Sequence, residues 1–355
     1  MLKPRTLALF VVATLSLAAP RCSAQSAVLD LPRDSQHSLV MQRIGITDVT
    51  VSYHRPLVKG RTIWGKVVPY GEVWRAGANE NTTITFTDPV TIEGKPLAAG
   101  AYGLHMIPTE NEWTIIFSKD HTAWGSFTYN QADDALRITV KPKPADMQEA
   151  LAYNFDDVKP DSTVVTLRWE KLAVPFKVDV DVHEVVKASL HRQLHGLAQY
   201  TWEGWDDAAT YLADNKYDLE EALQYEDTSI KTEERYDNLM TKARLLDALG
   251  RKDDATAARN RGLELASSTQ LYVYGRQLQQ EGKQDQAFEY FRQASKKNPS
   301  DWVAHIGTAR IYSSQGNFDD AAKEMQLAVA GAPDNQKIFL QPMVRKLETK
   351  LDINK

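Results

Sequence analysis

A single cysteine, Cys22, occurs in the 355 residues, and it lies close to the start. A disulfide framework is therefore excluded, and a cysteine nucleophile is excluded once the leader described below is removed. Charge of one sign is scarce as well: 42 basic side chains stand against 47 acidic ones. Such a balance gives no electrostatic reason to expect nucleic acid or an anionic membrane surface as partner. After Ala19 no apolar run approaches the roughly 20 residues that a membrane-crossing helix needs. The sequence also lacks a Gly-x-Ser-x-Gly elbow and a glutamate-bearing zinc-protease motif. Stability must then rest on apolar cores, and the chain is long enough for two of them.

The one strongly apolar run is at the start. Lys3 and Arg5 precede Leu7 to Ala19, followed by Pro20 and the small residues Cys22 and Ala24. This order predicts a secretory signal peptide over residues 1–24, cleaved after Ala24. Pro20 and Arg21 suit a lipoprotein cleavage site poorly, so the expected product is exported without a lipid anchor, periplasmic or secreted. Removing Lys3, Arg5 and Arg21 widens the acidic excess from five to eight. Residues 25–37 read as a linker.

From Ser38 to His183 the apolar residues alternate. Val49, Val51 and Tyr53 do so, as do Ile84 and Phe86, then Trp113, Ile115 and Phe117, then Leu136, Ile138 and Val140, and finally Val165, Leu167 and Trp169. Side chains of a strand point to opposite faces in turn, so each segment offers one face to a core. Turn signals such as Glu93-Gly94-Lys95-Pro96 separate them. About ten strands without an intervening helix predict an antiparallel β-sandwich over residues 38–183, with a closed barrel as the alternative. Residues 184–351 then take a helical period. Gly282, Ala287, Phe291, Ala294 and Pro299 return 34 residues later as Gly316, Ala321, Met325, Ala328 and Pro333, and Ala222 and Ala255 extend the series backwards. The period and its small residues resemble tetratricopeptide repeats, that is, an α-helical solenoid of stacked hairpins. A last helix from Asn335 to Leu351 is expected to close the stack. The junction at Asp181–Glu184 contains neither glycine nor proline, so the last strand is expected to run almost directly into the first helix.

The stretch Gln42 to Phe86 is the most specific in the β-half. Its Tyr53-x-Arg55-Pro56, Lys59-Gly60-Arg61 and Val68-Pro69-Tyr70-Gly71-x-Val73-Trp74-Arg75-x-Gly77-Ala78-Asn79-Glu80 resemble an exported bacterial family known as a domain of unknown function, DUF2911. The resemblance runs across the β-half and implies no activity. His54, Ala76, Asn81 and His105 depart from the usual pattern, so a mechanism built on either histidine would not be a family property.

Candidate chemistry gathers in two loops. Arg55, Lys59 and Arg61 follow the Val49–Tyr53 strand, with Trp64 behind them; Trp74, Arg75, Asn79 and Glu80 precede the Ile84 strand. Meeting at one end of a sandwich, these would form a cationic, aromatic-edged recess for an anionic peptide end, sugar acid or cell-wall fragment. The competing structural reading has Glu80 pairing Arg75 or Arg55 while the asparagines fasten the turn backbone. His191 and His195, four apart on the first expected helix, are a weak metal pair without a third ligand. No cofactor and no metal are expected. The repeat aromatics, among them Tyr272, Tyr274 and Tyr290, read as helix packing. The functional expectation is a non-enzymatic binding or scaffold protein, the sandwich holding an anionic ligand and the repeats a protein or peptide partner. The alternatives are an envelope glycan or peptide hydrolase using Glu80 with Arg75, and a chain whose repeats alone are functional.

Overall fold

The computed structural model describes residues 32–355, so the expected signal peptide and most of the linker lie outside the described residues. The chain divides into two compact units, one ending at Val180 and the other beginning at Asp181.

Among the described residues of the first unit, ten antiparallel strands build two sheets. One has the order β1 (Gln36–Ile44), β2 (Thr47–Arg55), β3 (Thr83–Phe86), β6 (Gly100–Pro108), β7 (Trp113–Ser118) and β8 (Asp134–Val140). The other has the order β5 (Lys95–Leu97), β4 (Val90–Ile92), β10 (Ser162–Asp179) and β9 (Lys143–Asp156). The alternation read from the sequence is what divides core from solvent. Val49, Val51 and Tyr53 of β2 are buried, while Thr50 and Ser52 between them are half-buried. Across the sandwich Phe117 of β7 meets Phe176 of β10 at 5.8 Å, and Tyr53 of β2 meets Tyr153 of β9 at 4.8 Å, both edge to face. The sandwich expectation holds, and the barrel alternative does not. Alternation fails on β7, beside the edge strand β8 of the larger sheet, where Ile115, Ile116 and Phe117 are all buried. His105, paired with Ile116 on the neighbouring strand, shows why. Ser126 and Tyr129 of the loop after β7 lie over it, so this part of the outer face is covered.

The second unit contains ten α-helices. The expected period-two run through Val182 stops earlier, because Asp181 accepts a hydrogen bond from the Glu184 N–H at 3.2 Å and starts α1 (Val182–Gln193). Four hairpins follow: α2 (Trp202–Asn215) with α3 (Leu219–Thr232), α4 (Tyr236–Ala248) with α5 (Lys252–Leu265), α6 (Ser268–Gln280) with α7 (Gln284–Lys297), and α8 (Trp302–Ser314) with α9 (Phe318–Gly331). Ala222, Ala255, Ala287 and Ala321 mark the second helix of each pair and are fully buried. Their missing bulk is what lets the paired backbones approach. The first helices α2, α4, α6 and α8 form one row, with α2 packed on α4 and α6 on α8. The closing helix α10 (Asp334–Glu348) ends three residues short of the expected Leu351. Lys350 adopts φ +57°, and the chain turns back over α8.

Candidate functional site

The loop from Gly71 to Asn81 is mostly a fastening. Trp74 exchanges both main-chain hydrogen bonds with Met106 of β6, each 2.8 Å, and its indole donates to the Gly77 carbonyl at 3.1 Å. The Ala76 carbonyl accepts from the Thr82 hydroxyl at 3.2 Å and from the Tyr153 hydroxyl at 2.9 Å. Asn79 donates to the Ser35 carbonyl and Asn81 to that of Asp120. These bonds supply partners for backbone that belongs to no sheet, as burial requires.

The expected cationic residues disperse in the same way. Arg55 donates to the Leu151 carbonyl at 2.8 Å, and Arg61 to the carbonyls of Leu57 and Val58. The Lys59 ammonium reaches Asp34 at 3.3 Å, on the surface. Trp64 does meet Trp74, but inside the protein: its ring lies 4.9 Å from Trp113 and 5.7 Å from Trp169, both fully buried. Arg55, Arg61 and Trp64 are thus tied to main-chain carbonyls or to the aromatic core rather than gathered in one recess.

Arg75 is the exception. It lines a cleft of about 510 Å³ with Trp74, Glu72, Ser126, Phe127 and Tyr129. Its Nε is buried and finds no hydrogen-bond partner among the described residues, and burial lowers the guanidinium's pKa. Phe127 stands 84% exposed at the rim, a large apolar group left in water. Ser126 accepts or donates one hydrogen bond with the buried His105 at 3.0 Å. A partly desolvated guanidinium beside aromatic surface suits an anion carrying an apolar portion.

Glu80 pairs with neither Arg75 nor Arg55, correcting the fastening expected for it. Its carboxylate accepts from Arg33 at 2.5 Å and approaches His54 at 3.4 Å. Burial would raise its pKa, but its backbone hydrogen bond, the Arg33 bond and charge, and His54 outweigh that and hold it low. His54 in turn is lowered, by burial first, with Glu80 opposing. His37, paired with His54 across β1 and β2, bonds Ser52 at 2.8 Å, and His37, His54, Arg33 and Glu80 border a cleft of about 650 Å³. A carboxylate kept ionised by an arginine is poorly suited to deliver a proton, which weighs against Glu80 as a general acid.

His191 and His195 do not share a helix face. Helix α1 ends at Gln193, so His195 lies beyond it, and His191 is bonded to Glu221 of α3 at 2.6 Å. Leu197, likewise past the end of α1, is 87% exposed. Among the described residues no group of three or more potential ligands could hold a metal ion.

In the helical unit a groove of about 750 Å³ runs along the row of first helices, lined by Thr210, Tyr236, Met240, Arg244, Tyr274 and Gln277, among others. Its charges are locally balanced: Arg244 pairs with Asp214 at 2.6 Å, Lys283 with Glu281 at 2.8 Å, and Arg259 with Asp247. Of these residues only Tyr274 was singled out from sequence, as helix packing, although one further signal was available. Arg244, Arg276 and Arg310 each stand eleven residues before the repeat alanines Ala255, Ala287 and Ala321, so each first helix after α2 carries an arginine at the same position.

Residues 35–178 match the protein family of unknown function DUF2911. Residues 278–340 match a tetratricopeptide-repeat model. The resemblances read from the sequence therefore hold over these spans. Among curated proteins none matches this chain. Solved structures similar to it include YrrB, a tetratricopeptide-repeat protein described as having an unusual peptide-binding site, with 13% identity, a TM-score of 0.29, and 45% of this chain and 84% of that one covered. PilF of Pseudomonas aeruginosa gives 16% identity, a TM-score of 0.32 and coverages of 47% and 77%. A tetratricopeptide-repeat protein of Parabacteroides merdae gives 18% identity, 0.31, 48% and 66%. The helical hairpins of this chain are of the kind that supports protein–protein interaction or scaffolding, and no helix among the described residues is long and apolar enough to cross a membrane.

Proposed function

We propose that this is an exported binding and scaffold protein whose helical repeats dock an extended peptide or protein partner along the first helices, while the DUF2911 sandwich holds an anionic ligand at Arg75. The observation that carries the first half is the groove bordered by α2, α4 and α6. It combines the apolar Met240 and two tyrosines with arginine, lysine, glutamate and glutamine side chains. Such a surface supplies stacking area and both hydrogen-bonding signs to a main chain laid along it. Substituting Met240→Glu, Tyr274→Ala and Gln277→Ala together tests it by affinity purification from the host envelope. The reading expects a partner retained by the natural chain and lost from the variant, with the helical circular dichroism unchanged. A partner retained equally by both would overturn it.

The second half rests on the unpartnered Arg75 Nε beside Trp74, Phe127 and Tyr129. Arg75→Gln separates ligand binding from fastening. Calorimetric titration with uronic acids and N-acetylated acidic dipeptides should show binding to the natural chain, lost in a variant that melts at the same temperature. A variant that fails to fold speaks for fastening. The hydrolase alternative has less support, because Glu80 is tied to Arg33 and held ionised.

A further inference from the structure

Two of the first helices, α6 and α8, are bonded to a segment of the chain itself. After α10 the segment Leu351–Lys355 folds back onto α8 and reaches α6, and six of the ten polar groups of its middle three residues find partners. The Asp352 carboxylate accepts from the Ser313 hydroxyl at 2.8 Å, and the Ile353 N–H donates to that same hydroxyl at 3.0 Å. The Ile353 carbonyl accepts from the Arg310 guanidinium at 3.1 Å. At Asn354 the side-chain amide donates to the Arg310 main-chain carbonyl at 2.9 Å, and its oxygen accepts from Gln279 of α6 at 2.7 Å. Asp352 also accepts from the main chain and side chain of Asn354, which fixes the turn between them. The Ile353 side chain, 7% exposed, joins Ile306, Ala309 and Leu347 in the core.

This arrangement reads a main chain rather than merely covering a helix. One residue has both its N–H and its C=O taken, and the next has both ends of its carboxamide taken, by side chains of α6 and α8 and one helix carbonyl. Arg310 is 3% exposed, and its guanidinium is shared between the segment and the Tyr272 hydroxyl of α6 at 3.4 Å. Arg276, at the equivalent position of α6, lies beside it, lowered in pKa by burial and then by the Arg310 charge, and is bonded to Gln279. Two neighbouring guanidinium groups favour a ligand rich in carbonyl and carboxylate oxygen.

We propose that the face formed by Gln279, Arg310 and Ser313 is a binding site for a turn-forming segment of the form acidic–aliphatic–asparagine, and that Asp352-Ile353-Asn354 is its resident competitor. The inference rests on the docking reading of the first helices and names the chemistry of what they dock. A partner presenting the same three side chains takes the site when the resident segment lifts away.

The test uses the full chain and a fluorescent, acetylated and amidated peptide covering residues 349–355. In a full-length variant with Asp352→Ala, Ile353→Ser and Asn354→Ala, anisotropy should show saturable binding of the peptide. The natural chain should bind about tenfold more weakly or less. Adding Arg310→Ala to the variant should weaken binding by about tenfold again. A folded variant that binds no peptide, equal binding by the natural chain, or indifference to Arg310→Ala overturns the proposal. Should the triple variant lose its helical signal, hydrogen exchange on the natural chain decides. A resident competitor must open locally, so the Ile353 and Asn354 amides should exchange about 100-fold faster than those of Ile306 to Arg310. Exchange at the same rate makes the segment fixed core and overturns the inference. A chain that captures its partner through α4 and α6 yet binds no peptide refutes this proposal alone.

Discussion

His105 and Glu226 are buried titratable side chains, one in each unit, and burial moves them in opposite directions. His105 is 2% exposed, and burial lowers its pKa to about 4, with Asp134 and Asp120 opposing more weakly. Below pH 6.5 the unfolded chain takes up a proton that the folded chain refuses until about 4. Stability therefore falls across that window as pH drops, by about 1.4 kcal/mol per unit. His105→Gln, which keeps a hydrogen-bonding partner for Ser126, should flatten the fall in urea titrations between pH 6.5 and 4. Glu226 of α3 is fully buried, and its carboxyl is pushed up to about 9 by burial first and then by the Asp206 charge. The folded chain holds this proton where the unfolded one releases it near 4.5. That contribution is complete below 4.5 and is lost as pH rises towards about 9. Glu226→Gln should raise stability at pH 7 by about 1–3 kcal/mol, the gain growing with pH. A gain that does not change with pH would show that titration is not its source.

At the scale of elements, the close packing of hairpins depends on where bulk is withheld. Gly275 sits in the middle of α6, where a Cβ would fall 2.6 Å from the Phe291 ring and 3.0 Å from the Ala287 carbonyl. Gly307 of α8 faces the same phenylalanine from the next hairpin, its Cβ position 3.0 Å from the Phe291 Cβ. Phe291, fully buried, thus fills the space that two glycines leave. Alanine favours a helix over glycine by about 1 kcal/mol, so propensity alone would make Gly275→Ala stabilising. The clash should win, with a net loss of about 2 kcal/mol in chemical denaturation. Phe291→Leu in the same chain should recover part of that loss, and a strictly additive double mutant would remove the contact as its cause. Gly316 makes the contrast. It has φ +75° with open space around its Cβ position, so Gly316→Ala should cost about 1 kcal/mol through the backbone alone.

For the whole molecule, the two units should answer pH in opposite senses. The sandwich carries His105 and the repeats carry Glu226, each inside its own unit. Moving from pH 6.5 to 4.5, the window both shifts span, should lower the sandwich's Tm and raise that of the repeats. Near-ultraviolet circular dichroism follows the Trp64, Trp74, Trp113 and Trp169 cluster of the sandwich. Far-ultraviolet ellipticity follows the helices. His105→Gln should remove much of the first displacement without touching the second, and Glu226→Gln the reverse. A single transition, moved equally by both substitutions, would mean that the units unfold together.

The sequence determined the elements, because the signals for them are local and repeated. Period-two burial at Val49, Val51 and Tyr53 needs nothing but the geometry of a strand, and the alanine series at 222, 255, 287 and 321 needs nothing but two helices in close approach. The family likeness was legible for the same reason, since one motif-rich stretch carries it. The destinations of polar side chains were not legible. Glu80 found Arg33, 47 residues away, instead of the arginines close to it in sequence, and Arg55 and Arg61 turned to main-chain carbonyls. Which donor meets which acceptor depends on loops converging in space, and loop paths have no period to read. The helix end at Gln193 separated His191 from His195, and the turn at Lys350 sent Ile353 back onto α8. Only the tertiary structure could decide these, because each depends on what a segment buries against a distant one.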